Sequence, residues 1–228
     1  MTSVVIGPTR ETTLLARQAA TIDVISGGRL TLGIGIGVRA NDYSATGFDF
    51  HRRGRRAEEQ LPTLRRLWRG AALSSEVGAI GPLSPRPGGP EMLIGGYVPA
   101  IVQRIAMWGD GYMAPGGGEP EAMLKMWHEI EQAWRQAGRP GKPRWVGASY
   151  FALGPNASDH AARYIGANYG YNPELAAKRL RKLPASTAAV EAAIKRQAAM
   201  GVDEFILRPC AEDLDQMDLL AEVAARLN

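Results

Sequence analysis

This sequence predicts an α/β fold built on parallel strands. Short apolar runs alternate with amphipathic helical stretches along the whole of its 228 residues. From Leu14 to Trp68 a helix runs into a Ser-Gly-Gly-Arg turn. A strand TLGIGIG follows, then a short polar loop and a basic helix. With 45% hydrophobic and 22% charged residues, the composition is that of an ordinary globular domain. Repeated strand–helix alternation implies parallel strands joined by right-handed crossovers.

The elements follow in order. Ser3–Ile6 is a short β-branched run ended by Gly7-Pro8. Glu11–Ile25 carries Leu14, Leu15, Ala19, Ile22 and Ile25 at helical spacing, and Gly27-Gly28 ends it. Leu30–Gly35 reads as a buried strand. Gly54–Trp68 is a helix with Leu61, Leu64, Leu67 and Trp68 inward, and Pro62 removes one backbone donor from it. Residues 70–90 lack a period and read as a loop. Met92–Gly95 is the next strand, and Pro99 starts a helix that reaches Trp108. Gly111–Ala114 is a strand closed by Pro115 and three glycines, and Pro120–Gln136 is a long amphipathic helix. Trp145–Leu153 is a strand, and a helix begins at Ser158 as its N-cap. Asn172–Leu183 and Thr187–Met200 are helices, Glu204–Leu207 a strand and Glu212–Leu227 the last helix. That makes six strands where a closed barrel of this class has eight. The pattern alone fits a partial barrel and a doubly wound open sheet equally.

Bulk chemistry narrows the function classes. Cys210 is the single cysteine, which excludes an internal disulfide and a multi-cysteine zinc site. A reducing, cytoplasmic setting is the simplest home for such a chain. No apolar run is long enough for a membrane span, and residues 1–10 lack the pattern of a signal peptide. The net charge is +4 and the pI about 9.4. The densest cluster, Arg52, Arg53, Arg55 and Arg56, runs straight into Glu58 and Glu59. Pairing at helical spacing makes this a solvated, ion-paired face, and nucleic acid is not an expected partner. His51, His128 and His160 are all away from the strand ends where barrel catalysis takes place. No Ser-His-Asp, Cys-His or metal-binding spacing is present.

The block Ala16–Gly37, with Asp23, Ser26-Gly27-Gly28-Arg29 and Gly33-Ile34-Gly35-Ile36-Gly37, resembles the luciferase-like monooxygenase family. Arg53, Arg56 and Glu59, the segment Ile94–Ala100 and the segment Ala106–Tyr112 resemble further family motifs. The likeness runs from Ser3 to Asn228 and is loose after Gly138. It implies a TIM-barrel-like (β/α) fold over residues 1–228 as one domain. That domain would be N-terminally incomplete, lacking the first two strands and keeping about six of eight. It also implies an oxidoreductase or monooxygenase that uses FMN or coenzyme F420 on a small organic substrate. The cofactor would carry the hydride or oxygen chemistry while the protein orients it. The other reading is a non-catalytic flavin-binding or remnant barrel, or a fragment of a longer enzyme. Missing strands would leave open edges, so a homodimer or aggregation is expected.

The resemblance implies cofactor contacts at nine positions. Ser3 and Val4 match a strand end whose peptide is often cis and bulged beneath the flavin ring. Gly35, Ile36 and Gly37 end the next strand, where glycines permit close approach. Asn41, with Asp42 beside it, matches a loop position facing the cofactor's phosphate side chain, or is simple loop chemistry. Gly95, Gly96 and Tyr97 form a strand-to-helix turn, either a phosphate cradle or an ordinary turn. Asp23 and Arg29 read as an ion pair or turn lock. Arg53, Arg56 and Glu59 read as an outer ion network. The loop Ala114–Gly118 lacks the threonine and lysine that bind phosphate in some F420 relatives. Arg208 would either bring positive charge to the rim or pair with Glu212 or Asp213. The catalytic acid–base group is unassigned, and Cys210 reads as inert packing.

Overall fold

β1 (Thr2–Ile6) lies so close to β2 (Thr31–Gly35) that a side chain at Gly33 would collide with the Thr2 carbonyl oxygen. Glycine alone permits that approach, which explains the alternation of glycine with isoleucine along β2. The two strands are parallel, with Thr2 opposite Leu32 and Val5 opposite Ile34. One residue more on β1 than on β2 makes a bulge there, and the Ser3–Val4 peptide within it is cis. The structure, a computed structural model, describes residues 1–227. Asn228, the last residue of the expected domain, lies outside the described residues.

Packing divides the chain into two units, and among the described residues six parallel strands alternate with helices along the sequence. The first unit comprises Met1–Met113 and Met126–Arg144. In it β1 and β2 are followed by β3 (Glu91–Gly95) and β4 (Gly111–Met113), each parallel to the strand before it. The helices are α1 (Thr12–Ile25), α2 (Ala40–Thr46), α3 (Arg53–Trp68), α4 (Ala100–Trp108) and the greater part of α5 (Pro120–Gln136). Ile34 and Ile94 are paired in register and line one tight gap with Ala57 and Leu61 of α3. Leu15, Ala16 and Ala19 of α1 and Leu64, Leu67 and Trp68 of α3 are buried, and the Trp68 indole donates to the Ala16 carbonyl at 2.9 Å. Each such leucine contributes roughly 1.5–3 kcal/mol by leaving water.

Two buried charges hold the connections of this unit. Asp23 is fully buried. It accepts the Leu30 amide at 3.0 Å, the Ser84 hydroxyl at 2.5 Å and Arg86 at 3.0 Å. Burial opposes its charge, yet these bonds together keep the carboxyl below its ordinary pKa. The expected Asp23–Arg29 pair is therefore corrected. Asp23 does lock the turn, but its cation is Arg86, while Arg29 turns back on the Ser26 carbonyl at 2.7 Å. Arg65 reaches the Trp108 carbonyl at 2.9 Å and the Asp110 carboxylate at 2.5 Å, and Asp110 also accepts the Met92 amide at 2.7 Å.

The second unit comprises Ala114–Lys125 and Trp145–Asn228. β5 (Arg144–Phe151) and β6 (Glu204–Pro209) are parallel, paired from Val146 opposite Glu204 to Phe151 opposite Pro209. The helices are α6 (Ala157–Tyr169), α7 (Pro173–Lys182), α8 (Thr187–Ala199) and α9 (Asp215–Ala225). Phe151, Leu153, Val190 and Val223 form its core, against Ile194, Leu207, Leu219 and Leu220. The Gln216 amide bonds both the N–H and the C=O of Leu153, each at 2.9 Å. Ser186 and Asn172 cap α8 and α7 by accepting the Ala189 and Leu175 amides. Ser158 does not cap α6: the helix has already begun at Ala157, after Asn156, without a side-chain cap.

Among the described residues, no helix is long and apolar enough to cross a membrane, and no group of three His, Cys, Asp or Glu is placed to hold a metal.

Candidate functional site

The C-terminal ends of β1, β2, β3 and β4 bring several of the predicted residues together. Val4 is the centre. A β-carbon at Gly35 would stand 3.0 Å from Val4 Cγ2, and one at Gly95 would stand 3.4 Å from its Cγ1. Two bare glycines on adjacent strands thus make room for one valine, which remains 38% exposed. Ser3 lies beside it, its hydroxyl 3.7 Å from the Met113 sulfur at the end of β4. The result is an apolar floor made of backbone and one branched side chain.

Two turns rise from the strand ends. Gly37 adopts a left-handed φ of 65°, and a β-carbon there would lie 3.0 Å from Ile6 at the end of β1. The Ile36 carbonyl accepts the Tyr43 hydroxyl at 2.5 Å. After β3, Gly96 has a φ of 157° and its carbonyl accepts the Tyr112 hydroxyl at 3.1 Å. Tyr97 and Val98 stand exposed at 52% and 46%. At the start of α4 the Ile101 and Val102 amides turn back on the Val98 and Pro99 carbonyls, at 3.0 Å each. Those two donors are spent within the turn, and Pro99 just before them has no N–H to offer.

Other expectations meet a different geometry. Asn41 sits in the first turn of α2 and is exposed, so its position is helical and not a loop. Arg53, Arg56 and Glu59 do not form one ion network. Arg56 donates to the Pro8 and Arg10 carbonyls at 2.9 Å each. Arg53 lies 3.8 Å over the Phe50 ring, and Glu59 pairs with Arg55 at 3.0 Å. Arg208 lies 5.5 Å over the Tyr150 ring. In the glycine loop after β4, the Gly116 carbonyl accepts from Arg179 at 2.9 Å, and Glu119 pairs with Lys182. Cys210 packs among Ala152, Ala157 and Ala161, and burial pushes its thiol up to about 11.

The sequence reading missed Tyr43, Tyr112 and Met113. Tyr43 had a faint signal, since it is an aromatic among polar residues seven positions after Ile36. Tyr112 reads as plain strand core, and nothing in its spacing points to Gly96. None of the side chains that converge at the strand ends is a carboxylate, imidazole or thiol. The arrangement can seat and orient a flat apolar group, and among the described residues no acid or base side chain is placed at that floor.

Comparisons with known proteins bear on the family and the fold. The family model described as luciferase-like monooxygenase matches residues 1–222. An uncharacterized protein of Mycobacterium tuberculosis (strain ATCC 25618 / H37Rv) is 31% identical over 137 residues, 58% of this chain and 47% of the relative. The match thus spans about half the length of that relative. The oxygenase component of a flavin-dependent trigonelline monooxygenase from Acinetobacter baylyi is 37% identical over 71 residues, 30% of this chain and 20% of that one. Among solved structures, the monooxygenase RslO1 from Streptomyces bottropensis superposes with a TM-score of 0.73 at 20% identity, covering 98% of this chain and 76% of that one. An F420-dependent secondary alcohol dehydrogenase, solved with an F420–acetone adduct, gives a TM-score of 0.75 at 18% identity, covering 99% and 78%. These likenesses make the fold TIM-barrel-like, with six parallel strands where the closed barrel has eight. Matched by its family model over almost its whole length, the chain belongs to the luciferase-like monooxygenase family.

Proposed function

We propose that this protein is an oxidoreductase that binds FMN or coenzyme F420 at the ends of β1 to β4 and acts on a small organic substrate. The floor of Val4 over Gly35 and Gly95 carries the proposal, because a flat ring needs an apolar bed, and the two glycines leave a single valine side chain to form it. Ser3, Val4, Gly35, Ile36 and Gly95 would lie beneath the ring. Gly37, Gly96 and Tyr97 would flank it, and the backbone N–H groups of Gly96, Tyr97 and Val98 would face the phosphate, since Pro99 has none. Asn41, exposed on α2, would meet the phosphate side chain only from the edge. When bound, the cofactor supplies hydride transfer or oxygen activation. The chain's own part is to bind it, orient it and exclude water.

The test is a fluorescence titration of the purified protein with FMN and, separately, with F420. Saturable binding of one of them at micromolar concentration is the expected result and selects the subclass. Failure of both at a hundredfold excess would overturn the proposal.

A second reading is a flavin-binding or remnant barrel without turnover. It is favoured by the make-up of the floor, which among the described residues is backbone, Ser3 and Val4. Binding without oxidation of the reduced cofactor would select it.

We further propose one domain over residues 1–228, a cytoplasmic setting and a homodimer. Within its unit β1 is the outermost strand. Beside it Leu14 and Ile22 of α1 line a groove of about 570 Å³ with Thr2, Val5 and Leu32. An apolar groove along an open strand edge favours pairing with a second chain. Light scattering that gives a monomer mass at all concentrations would refute the dimer.

A further inference from the structure

Two buried phenols stand behind the proposed floor, and neither belongs to it. Tyr43 of α2 is 1% exposed and Tyr112 of β4 is 3% exposed. Each gives its hydroxyl to one backbone carbonyl. Tyr43 bonds Ile36, the residue after β2, at 2.5 Å. Tyr112 bonds Gly96, the residue after β3, at 3.1 Å. The two acceptors therefore occupy the same place on adjacent strands, one step beyond the last sheet residue. That step lies just past the paired strands, and glycine stands at it as Gly96 or next to it as Gly37, with φ of 157° and 65°.

We propose that Tyr43 and Tyr112 are paired positioning residues that fix the turns Ile36–Gly37 and Gly96–Tyr97 in the conformation that receives the cofactor. The proposal rests on the cofactor reading above. Burial raises the pKa of both phenols, so each stays a protonated donor across the working pH range. Tyr43 also touches the Phe50 ring edge-on at 5.5 Å, so its ring stays in place when only the oxygen is removed. Neither phenol touches the floor residue Val4 among the contacts described, so their effect passes through the backbone of the two turns. Preorganised turns spare the ligand the cost of ordering them.

The experiment uses three isosteric variants of the full chain: Tyr43→Phe, Tyr112→Phe and, as control, Tyr150→Phe. Tyr150 shares a hydroxyl contact of 3.1 Å with Tyr169 in the second unit, so the control removes a hydrogen-bonded phenol oxygen that holds no backbone turn of the site. Two readouts are taken: FMN and F420 affinity by fluorescence, and hydrogen exchange of the ligand-free protein. The expected result is affinity weaker by roughly fivefold or more in Tyr43→Phe and Tyr112→Phe, unchanged in the control. Exchange should quicken at residues 36–39 in the first variant and 96–98 in the second, and nowhere else. Unchanged exchange in those turns, or exchange quickened throughout the chain, would overturn the proposal. So would affinity equal to wild type where wild type binds. If the wild type binds neither cofactor, the cofactor reading fails, and the exchange data still decide whether the phenols hold the turns.

Discussion

Val4 occupies the space that a side chain at Gly35 would need, with only 3.0 Å between its Cγ2 and the position of a β-carbon there. Gly33 faces a harder obstacle, the Thr2 carbonyl oxygen. A side chain can yield by a few tenths of an ångström, whereas a backbone carbonyl in a paired strand cannot. We therefore expect Gly35→Ala to fold, with a melting temperature a few degrees lower at most, but with cofactor affinity reduced several-fold. Gly33→Ala should lose more than about 3 kcal/mol or fail to fold, because the overpacking meets backbone. Urea unfolding and cofactor titration separate the two. Equal stability of both variants would show that β1 does not lie on β2 as described.

Asp23 gives a pH-dependent test. Its carboxyl is held below the ordinary value of 3.8: burial works against the charge, and the bonds from Ser84, Arg86 and Leu30 outweigh it. A carboxylate with a depressed folded-state pKa stabilises the fold above its unfolded pKa. That stability is lost as pH falls through the folded value. In Asp23→Asn an amide nitrogen must face the donors of Arg86 or Leu30. Arg86 is one-third exposed, so the expected loss at pH 7 is moderate, about 2 kcal/mol. The gap between wild type and variant should narrow as pH drops below 4. A constant gap from pH 7 to pH 3 would remove the charge from the account.

How much of this could be read from sequence depends on the distance between partners. Pro120–Gln136 is legible to both ends, since its amphipathic period is bounded by proline and glycine. α2 is not, because ANDYSAT carries one buried side chain, Tyr43, and its stop at Gly47 is a single left-handed residue. The charged residues show the same limit. Spacing put Arg56 on a helix face beside Glu59, yet its partners are the carbonyls of Pro8 and Arg10, in the turn after β1. Arg29 is near Asp23 in sequence, but Arg86 reaches it from a periodless loop. The strand-end glycines were visible because close backbone approach leaves a local mark. The phenols behind them were not, because a hydroxyl–carbonyl bond between elements leaves none.

Cys210 should be inert. It is buried among alanines, and its thiol is pushed up to about 11 by burial. Reaction with a disulfide reagent at pH 8 should therefore be slow in the native protein and fast in urea. Its rate should follow the unfolding transition. Rapid labelling of the folded protein would contradict the packing around Ala157 and Ala161.

Arg65 and Asp110 join three connections of the first unit. The guanidinium meets the Asp110 carboxylate at 2.5 Å and the Trp108 carbonyl at 2.9 Å, while Asp110 also takes the Met92 amide at 2.7 Å. The Arg65 side chain is 10% exposed, so its charge is largely withdrawn from water. A planar fork can serve a carbonyl and a carboxylate at once, and an ammonium group cannot do so with the same geometry. Arg65→Lys should thus lose about 1–2 kcal/mol despite keeping the charge. Arg65→Met should lose about 3 kcal/mol, because Asp110 is left without its closest cation. Asp110 retains Arg139 at 3.7 Å, which limits the damage. Urea denaturation of the two variants checks the order, and a lysine variant as stable as wild type would show that only the charge matters there.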